Sequence, residues 1–333
     1  MPKNTLQNTD FIFDESLSFR DKAENVYKFQ RLNNPLYHTF SEHFPQPDSE
    51  SFDPYSIPLL PIRAFKEADV IVQNRKPELL FKSSGTGSSN RSRHLVADAD
   101  LYRKSIIAEF NRYFDLSSFT ILAYTPGYNE NRHSSLIWML NYLISKSESE
   151  ISQFLPVGEP IDPTLLKQIE DRGETLILFG AAFGLMDVIE MGDADLPAGS
   201  LIIETGGMKT HRREMTKEDL RHALAEGFQI PPENIHSEYG MCELLSQCYS
   251  IGSEWFKTPS WVDVTIRDPE DSTRICKPGE EGKIGIIDLA NIYSCPFILT
   301  DDRGVVNEDG LFRVLGRWDS AELRGCNFLI DSD

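Results

Sequence analysis

No stretch of this sequence contains the roughly 18 to 20 uninterrupted apolar residues that a membrane-spanning helix requires. The start of the chain, M-P-K-N-T-L-Q-N-T-D, lacks the apolar core of a signal peptide. The chain has 333 residues, 40% of them apolar, which is enough to bury one large core or two closely joined ones. We therefore expect a soluble globular protein that resides in the cytoplasm.

Cysteine is scarce and irregularly spaced. The five residues are Cys242, Cys248, Cys276, Cys295 and Cys326. They form no C-x-x-C pair and are odd in number, which argues against a disulfide framework and against a structural zinc site. Free thiols are expected instead.

Positive charge is also in short supply, with 33 Lys and Arg against 52 Asp and Glu, for a formal net charge of −19. Binding to nucleic acid or to an anionic membrane depends on positive potential, so neither is expected. An anionic ligand must be held by local groups. One basic cluster, made up of Lys209, His211, Arg212 and Arg213, follows a double glycine, and the solvated start of a helix is the favoured explanation for it.

The segment 81–93, F-K-S-S-G-T-G-S-S-N-R-S-R, contains eight consecutive small residues from Ser83 to Asn90, flanked by Lys82 and by arginines. Such a run has no apolar side chain to bury, and its two glycines can adopt positive φ, so its amides can face a phosphate. A solvated linker is the alternative. The Gly-Lys-Ser/Thr ending of a Walker loop is absent.

Short apolar runs at 119–125, 175–180 and 200–205 are typical of strands buried on both faces of a parallel sheet. Helical spacing at 15–43 and 101–114 predicts helices, and the prolines of I-P-L-L-P-I at 57–62 predict an extended connection. From about residue 260 onward the pattern becomes strand-like with frequent turns. The expected fold class is α/β, with a doubly wound, mostly parallel sheet and a smaller β-rich portion.

No linker marks an independent domain boundary. We expect a single unit over 1–333, with a helical N-terminus and α/β sheet region over about 1–259 and a β-rich portion with the C-terminal segment over about 260–333. Ligands of such sheets bind beyond the carboxyl ends of the strands. The loops after the predicted strands are therefore the places to search for a site.

Two further motifs carry candidate chemistry. In H-S-E-Y-G-M-C-E-L, Tyr239 offers an aromatic face for a base and Glu243 offers a magnesium ligand, although a strand running into a helix explains the same pattern. Asp302 and Arg317 lie on either side of a predicted hairpin turn, which brings an acceptor and a cation together at adjacent strand ends. A surface salt bridge is the alternative for that pair.

The order of these motifs resembles the adenylate-forming superfamily of acyl-CoA ligases, luciferases and adenylation domains. The series is a small-residue loop, then G-G, Y-G-x-x-E, T-x-D and G-R-x-D. Nearly the whole chain, residues 10 to 330, resembles the LuxE-type acyl-protein synthetases. This resemblance is carried by L-P-I-R-A-F-K, E-T-G-G-M-K-T, E-Y-G-M-C-E-L and G-R-W-D-S-A-E-L-R-G-C-N. It implies the large N-terminal core of adenylate-forming enzymes, with ATP and Mg²⁺ as cofactors.

The resemblance also implies roles for individual residues. The phosphates of ATP would lie on the small-residue loop, made up of Ser83, Ser84, Gly85, Thr86, Gly87 and Ser88. The adenine would lie against Gly206 and Gly207 and against the Tyr239, Gly240 and Met241 segment. Glu243 would coordinate magnesium, Asp302 would bind the ribose hydroxyls, and Arg317 would contact the ribose or phosphate side of the nucleotide.

The chain departs from the superfamily pattern in two places. The usual loop reads S-S-G-T-T-G followed by a lysine, whereas here the nearest cations after it are Arg91 and Arg93, so the phosphate-binding register is open by about one residue. Only fourteen residues follow Asp319, so the C-terminal lid that supplies a lysine to the α-phosphate is expected to be absent. Lys209, His211, an arginine or a partner protein would then supply that charge.

The reaction that the resemblance implies is activation of a carboxylic acid, most naturally a fatty acid, followed by transfer to a cysteine. Cys326, in R-G-C-N, stands where the family places its acyl-accepting thiol, from which the acyl group passes to an acyl reductase. An external thiol, on a carrier protein or coenzyme A, is one alternative. A nucleotide-binding regulatory subunit without chemistry is another.

Overall fold

The computed structural model describes residues 8–48, 51–83, 91–127, 131–192, 195–206 and 215–318. Within these ranges the α-helices are α1 (Phe19–Asn33), α2 (Pro35–Ser41), α3 (Ala64–Glu67), α4 (Ala99–Phe110), α5 (Ser135–Lys146), α6 (Pro163–Arg172), α7 (Ala182–Met191) and α8 (Lys217–Gly227). The first seven strands are β1 (Leu60–Pro61), β2 (Leu79–Lys82), β3 (Arg93–Val96), β4 (Phe119–Tyr124), β5 (Gln153–Phe154), β6 (Thr175–Ala181) and β7 (Leu201–Thr205). The remaining strands are β8 (Ile235–Tyr239), β9 (Cys248–Ser250), β10 (Val262–Arg267), β11 (Gly282–Asp288), β12 (Phe297–Val306) and β13 (Phe312–Arg317).

The central sheet has the strand order β5-β4-β6-β7-β8-β9. Its first five strands are parallel, and β9 runs antiparallel to β8 at one edge. Successive residues of a strand point to opposite faces, and along β4 Ile121 and Ala123 join one apolar cluster whereas Leu122 and Tyr124 join the other. Helices α4 and α5 supply residues to the first cluster, and α6, α7 and α8 to the second. The doubly wound α/β fold expected from the sequence is thus confirmed.

A second sheet is built mainly from the last third of the described chain. Its order is β1-β12-β11-β10, with β13 also paired to β12, and all pairings are antiparallel except that of β1. The N-terminal helix is tied to the segment after β11, because Gln30 donates to the carbonyl of Ile292 at 2.6 Å and Asn34 donates to that of Ser294 at 2.8 Å. One apolar cluster therefore runs from α1 through both sheets.

The predicted helix over 15–43 is divided in the structure. Helix α1 ends at Asn33, and α2 begins at Pro35, which has no amide hydrogen to continue the preceding turn. Asn34 caps α2 by accepting from the amide of Tyr37 at 3.2 Å. Asp98 caps α4 by accepting from the amide of Leu101 at 2.9 Å. No helix among the described residues is long and apolar enough to cross a membrane.

Candidate functional site

Strands β4, β6, β7 and β8 are parallel neighbours, so their carboxyl ends meet at one edge of the central sheet. Gly206 follows β7 directly, with φ of +77°, and Tyr239 is the last residue of β8. Strand β13 of the second sheet approaches this edge, because Phe312 packs edge-on against Tyr239 with ring centroids 5.5 Å apart. The two sheets therefore meet where the sequence predicts a ligand site.

Tyr239, Asp302 and Arg317 form a single hydrogen-bonded cluster. The Tyr239 phenol donates to Oδ2 of Asp302 at 2.9 Å, and Nε of Arg317 donates to Oδ1 of the same carboxylate at 3.0 Å. Asp302 and Arg317 are direct partners in the β12–β13 ladder, as their hairpin spacing predicts. The Asp302 side chain is 10% exposed and that of Arg317 is 72% exposed, so the carboxylate is sheltered while the guanidinium faces solvent.

Thr300 orients the backbone of Asp302 in this cluster. Its hydroxyl donates to the carbonyl of Ile284 at 2.8 Å and accepts the amide of Asp302 at 3.1 Å. Thr300 is fully buried, and it is the threonine of the T-x-D motif. The motif therefore has a local structural reason, since the threonine orients the strand that presents the aspartate.

Burial, and then the Asp302 carboxylate, raise the pKa of Tyr239 well above its ordinary value. The phenol consequently keeps its proton and acts as a donor. Phe256 lies 5.9 Å from the Tyr239 ring, and Met241 Sδ lies 3.9 Å from the phenol oxygen. The Tyr239 ring is thus packed against Phe256 and Phe312, and its hydroxyl is bound to Asp302.

Glu238 and Thr205 connect the carboxyl ends of strands β8 and β7. They are ladder partners on β8 and β7, and the Thr205 hydroxyl donates to Oε2 of Glu238. Burial chiefly, with a contribution from Glu204, raises the pKa of Glu238 to about 7. A Cβ on Gly240 would lie 2.5 Å from Oε1 of Glu238, so only glycine fits after Tyr239 without displacing that carboxyl.

Glu243 lies in the turn after β8 rather than at the start of a helix. The residue is 5% exposed, and its backbone carbonyl accepts from Nδ2 of Asn291 at 2.8 Å. Partial desolvation lowers the pKa of Arg317, but Asp302 and, more weakly, Glu243 raise it above its ordinary value. Glu243 therefore shares the electrostatic environment of the Tyr239 cluster.

Two hydrogen bonds between Ser83 and Ser92, one backbone to backbone and one to a side chain, lie at the base of the small-residue loop. Ser83 donates its amide to the carbonyl of Ser92 at 3.2 Å, and the Ser83 hydroxyl accepts the amide of Ser92 at 3.2 Å. His133, which the sequence analysis did not select, accepts the Lys82 amide at its own carbonyl at 2.9 Å and places Nδ1 3.0 Å from the carbonyl of Leu80. Strands β2 and β3 pair in an antiparallel hairpin on either side of the small-residue loop. Their short sequences show no clear alternation of apolar and polar residues that would have predicted this hairpin.

Several predicted site residues lie outside the part of the chain that the structure describes. These are Ser84, Gly85, Thr86, Gly87, Ser88, Gly207, Lys209 and Cys326. The described cation closest along the chain to the 209–213 cluster is Lys217, whose Nζ lies 2.5 Å from Oε1 of the buried Glu204. That lysine is already neutralised by its partner.

The described cysteines are mostly buried. Burial raises the pKa of Cys248 and Cys276 above the ordinary value and that of Cys295 to about 12. A thiol must ionise to act as a nucleophile, so these three are poorly suited to accept an acyl group. Cys242, beside Glu243, is partly exposed.

Solved structures of enzymes share this fold. A 2-hydroxyisobutyryl-CoA ligase matches with a TM-score of 0.66 at 13% identity, over 96% of this chain and 81% of that one. A luciferase-like enzyme from the mealworm Zophobas morio matches with a TM-score of 0.50 at 16% identity, over 83% and 62%. The chain therefore has the fold of these two enzymes.

A family model described as acyl-protein synthetase, LuxE, matches residues 158–333. The chain belongs to the LuxE family of acyl-protein synthetases, and the ligase class expected from the sequence is confirmed. It is similar to the long-chain-fatty-acid–luciferin-component ligase of Vibrio harveyi, with 25% identity over 309 residues, 86% of this chain and 79% of that protein. The Aliivibrio fischeri ligase of the same name is 30% identical over 112 residues, 32% of this chain and 29% of that protein.

Proposed function

We propose that the protein activates a fatty acid with ATP as an acyl-adenylate and transfers the acyl group to a protein cysteine, Cys326. The observation that carries the proposal is the cluster of Tyr239, Asp302 and Arg317 at the carboxyl edge of the sheet, beside the Gly206 turn. We treat the whole chain as one adenylate-forming core, because a single apolar cluster joins both sheets.

The cluster is suited to hold a nucleoside. Each oxygen of Asp302 accepts one protein hydrogen bond, and an ionised carboxylate offers about four lone-pair sites, so one remains on each oxygen for a ribose hydroxyl. The ring of Tyr239 supplies a stacking face for adenine, and the exposed guanidinium of Arg317 can contact the phosphate side. Gly206 and Gly207 would leave room for the base, and Ser83 to Ser88 would hold the outer phosphates.

Glu243 fits a magnesium site that the substrate completes. Among the described residues no donor pairs with its carboxylate, and no group of three or more acidic, histidine or cysteine side chains is placed to hold a metal alone. Mg²⁺ is usually held by one or two carboxylates together with phosphate oxygens, so a single buried glutamate is an adequate protein ligand. When bound, Mg²⁺ would neutralise charge on the phosphates.

In the first step, a carboxylate oxygen of the acid attacks the α-phosphorus of ATP. The new oxygen–phosphorus bond forms as the bond to the bridging oxygen breaks, and pyrophosphate leaves with the electron pair. The chain's contribution is to orient the nucleotide through Tyr239 and Asp302 and to offset developing charge with loop amides and a cation, for which Lys209 is the candidate.

In the second step, the Cys326 thiolate attacks the carbonyl carbon of the acyl-adenylate, a thioester forms, and AMP leaves. The raised pKa values of Cys248, Cys276 and Cys295 favour an acceptor elsewhere. An acyl reductase or an acyl-carrier protein would be the partner that receives the group. The names of the Vibrio and Aliivibrio relatives support a long-chain fatty acid as the substrate.

The proposal is tested by acid-dependent pyrophosphate release from ATP and Mg²⁺ over fatty acids of graded length, with the intact protein mass recorded in parallel. Release with an acyl mass gain that is lost in Cys326→Ser, while release itself persists, is the expected result. Release without a mass gain would identify an external thiol such as a carrier protein or coenzyme A. ATP binding without release would favour a regulatory subunit.

A further inference from the structure

A buried polar network joins three distant parts of the chain beneath the candidate site. Nδ1 of His94, on β3, lies 2.7 Å from the carbonyl oxygen of Cys242, and Nε2 lies 2.9 Å from Oδ1 of Asn291. Asn291 stands in the short helical turn Leu289–Asn291 after β11. Both side chains are fully buried.

The orientation of Asn291 is fixed independently of His94. Its amide nitrogen donates to the carbonyls of Glu243 at 2.8 Å and Cys295 at 3.0 Å. Reversing the amide would direct its oxygen at two carbonyl oxygens, so Oδ1 must face the imidazole. Asn291 is therefore a fixed bridge that connects His94 to the backbone of Glu243.

The imidazole of His94 faces two acceptors, the carbonyl of Cys242 and Oδ1 of Asn291. Burial lowers the pKa of His94 to about 4, whereas its two acceptors, Oδ1 of Asn291 and the Cys242 carbonyl, act in the opposite direction. Phe65 packs edge-on against the imidazole with ring centroids 5.9 Å apart. Packing and polar contacts together confine the ring to one position.

The network lies between strand β3 and the turn that carries Glu243. His94 lies two residues beyond Ser92, which closes the base of the small-residue loop through Ser83. At its other end, the network holds the backbone of Cys242 and Glu243, the turn that follows Tyr239. One histidine and one asparagine thus connect strand β3 to the turn after β8.

Asn291 satisfies two buried backbone carbonyls, those of Glu243 and Cys295, which an apolar side chain would leave without a donor. A buried polar bridge of this kind favours one relative placement of the carbonyls that it contacts. Because Glu243 is the proposed magnesium ligand, the placement of the turn that carries it matters for cation binding.

We propose that His94 and Asn291 are positioning residues that hold the Glu243 turn against strand β3 and so determine how tightly Glu243 binds a divalent cation with ATP. The inference rests on the proposed function for the identity of the ligand. Neither residue is expected to touch the substrate.

The test compares His94→Gln and Asn291→Ser with His236→Gln. His236 is a matched control, because it is also buried, its pKa is also lowered to about 4 by burial, and its Nδ1 accepts the amide of Gly252 at 3.0 Å. The measurements are the Mg²⁺ concentration that half-saturates acid-dependent pyrophosphate exchange, and the binding of Mn²⁺ in the presence of ATP, followed by electron paramagnetic resonance. Thermal midpoints are recorded for each protein.

We expect both network variants to weaken cation binding by about tenfold, equal to about 1.4 kcal/mol, with a smaller change in the maximal rate. His236→Gln should lower the thermal midpoint comparably and leave cation binding within about twofold, a difference of about 0.4 kcal/mol. Equal cation affinities in all three variants would overturn the inference, and Asn291→Ser decides it if His94→Gln does not fold. If the wild type binds Mn²⁺ with ATP but exchanges no pyrophosphate, the proposed function alone is rejected. If it binds neither Mn²⁺ nor ATP, the proposed function and this inference are both rejected.

Discussion

The phenol of Tyr239 donates its proton to Asp302 across the junction of the two sheets, at 2.9 Å. The residue expected to stack on a base is therefore positioned by the residue expected to bind the ribose. Any change in one should be felt at the other, which makes the pair the most informative place to test the site.

Tyr239→Phe removes this hydrogen bond and keeps the ring. We expect the free energy of unfolding to fall by roughly 1 to 3 kcal/mol, because the buried carboxylate loses a donor, and we expect ATP to bind more weakly. The control is Tyr37→Phe, which removes a buried phenol that donates to the carbonyl of Pro58 at 2.9 Å. Calorimetric titration of ATP should separate the two, since the control should lose stability and keep its affinity.

Asp302→Asn removes the negative charge that is predicted to accept both ribose hydroxyls. We expect the dissociation constant for ATP to rise by about tenfold or more, as charge-assisted hydrogen bonds are among the strong ones. Stability should change by less than about 1 kcal/mol through Arg317, because that guanidinium is largely exposed.

The neighbouring Asp301→Asn is its matched control. Asp301 is 57% exposed on the side-chain scale and pairs with Lys283 at 3.2 Å. Equilibrium titration with ATP should show an affinity within about twofold of the wild type, a difference of about 0.4 kcal/mol. Equal losses in the two variants would contradict the role assigned to Asp302.

Gly240→Ala introduces a methyl group 2.5 Å from Oε1 of Glu238. We expect a loss of roughly 1 to 3 kcal/mol in the free energy of unfolding by denaturant, the usual cost of overpacking. In a Glu238→Ala background the same methyl group should cost clearly less, because the atom it meets is gone. Additive losses in the double variant would show that the clash lies elsewhere.

Glu238→Gln tests the raised pKa of the buried carboxyl, about 7 against an ordinary 4.5. Between these values the folded protein holds a proton that the unfolded chain has released, so this group lowers the free energy of unfolding as pH rises. The variant loses that dependence. Its stability relative to the wild type should rise by roughly 3 kcal/mol from pH 4.5 to pH 8, as measured by urea unfolding at each pH.

Other buried groups titrate in the same range, among them Glu109 with a pKa of about 7 and His236 with one of about 4. They are present in both proteins, so the difference between the two curves cancels them. A difference that stays flat with pH would mean that Glu238 ionises normally in the folded protein.

Much of the architecture could be predicted because it is written in local patterns. The continuous apolar runs ending at Tyr124 and Ala181 mark strands covered on both faces, and they are neighbours in the sheet. Asp302 and Arg317 could be paired from their spacing alone, since a hairpin turn between two strands fixes which residues lie opposite one another.

The parts that could not be predicted depend on residues far apart in the chain. His94 and Asn291 are separated by 197 positions, and neither belongs to a motif that favours the other. Glu238 offered a weak signal, as an acid inside an otherwise buried strand, but its partner Thr205 lies on a different strand. Sequence spacing is informative within a hairpin or a helix and is silent about packing between elements.

The pairing of Leu60 and Pro61 with Ile298 and Leu299 has a consequence for how the protein is made. Strand β12, which presents Asp302, is flanked along one side first by β1 and then by β13, so that side is completed by segments from opposite ends of the described chain. A ribosome must therefore have synthesised almost all of the described chain before this sheet can close. We expect folding to be slow and chaperone-sensitive compared with a protein of local contacts, and a fragment beginning after β1 should leave the edge of β12 open to pairing with other chains.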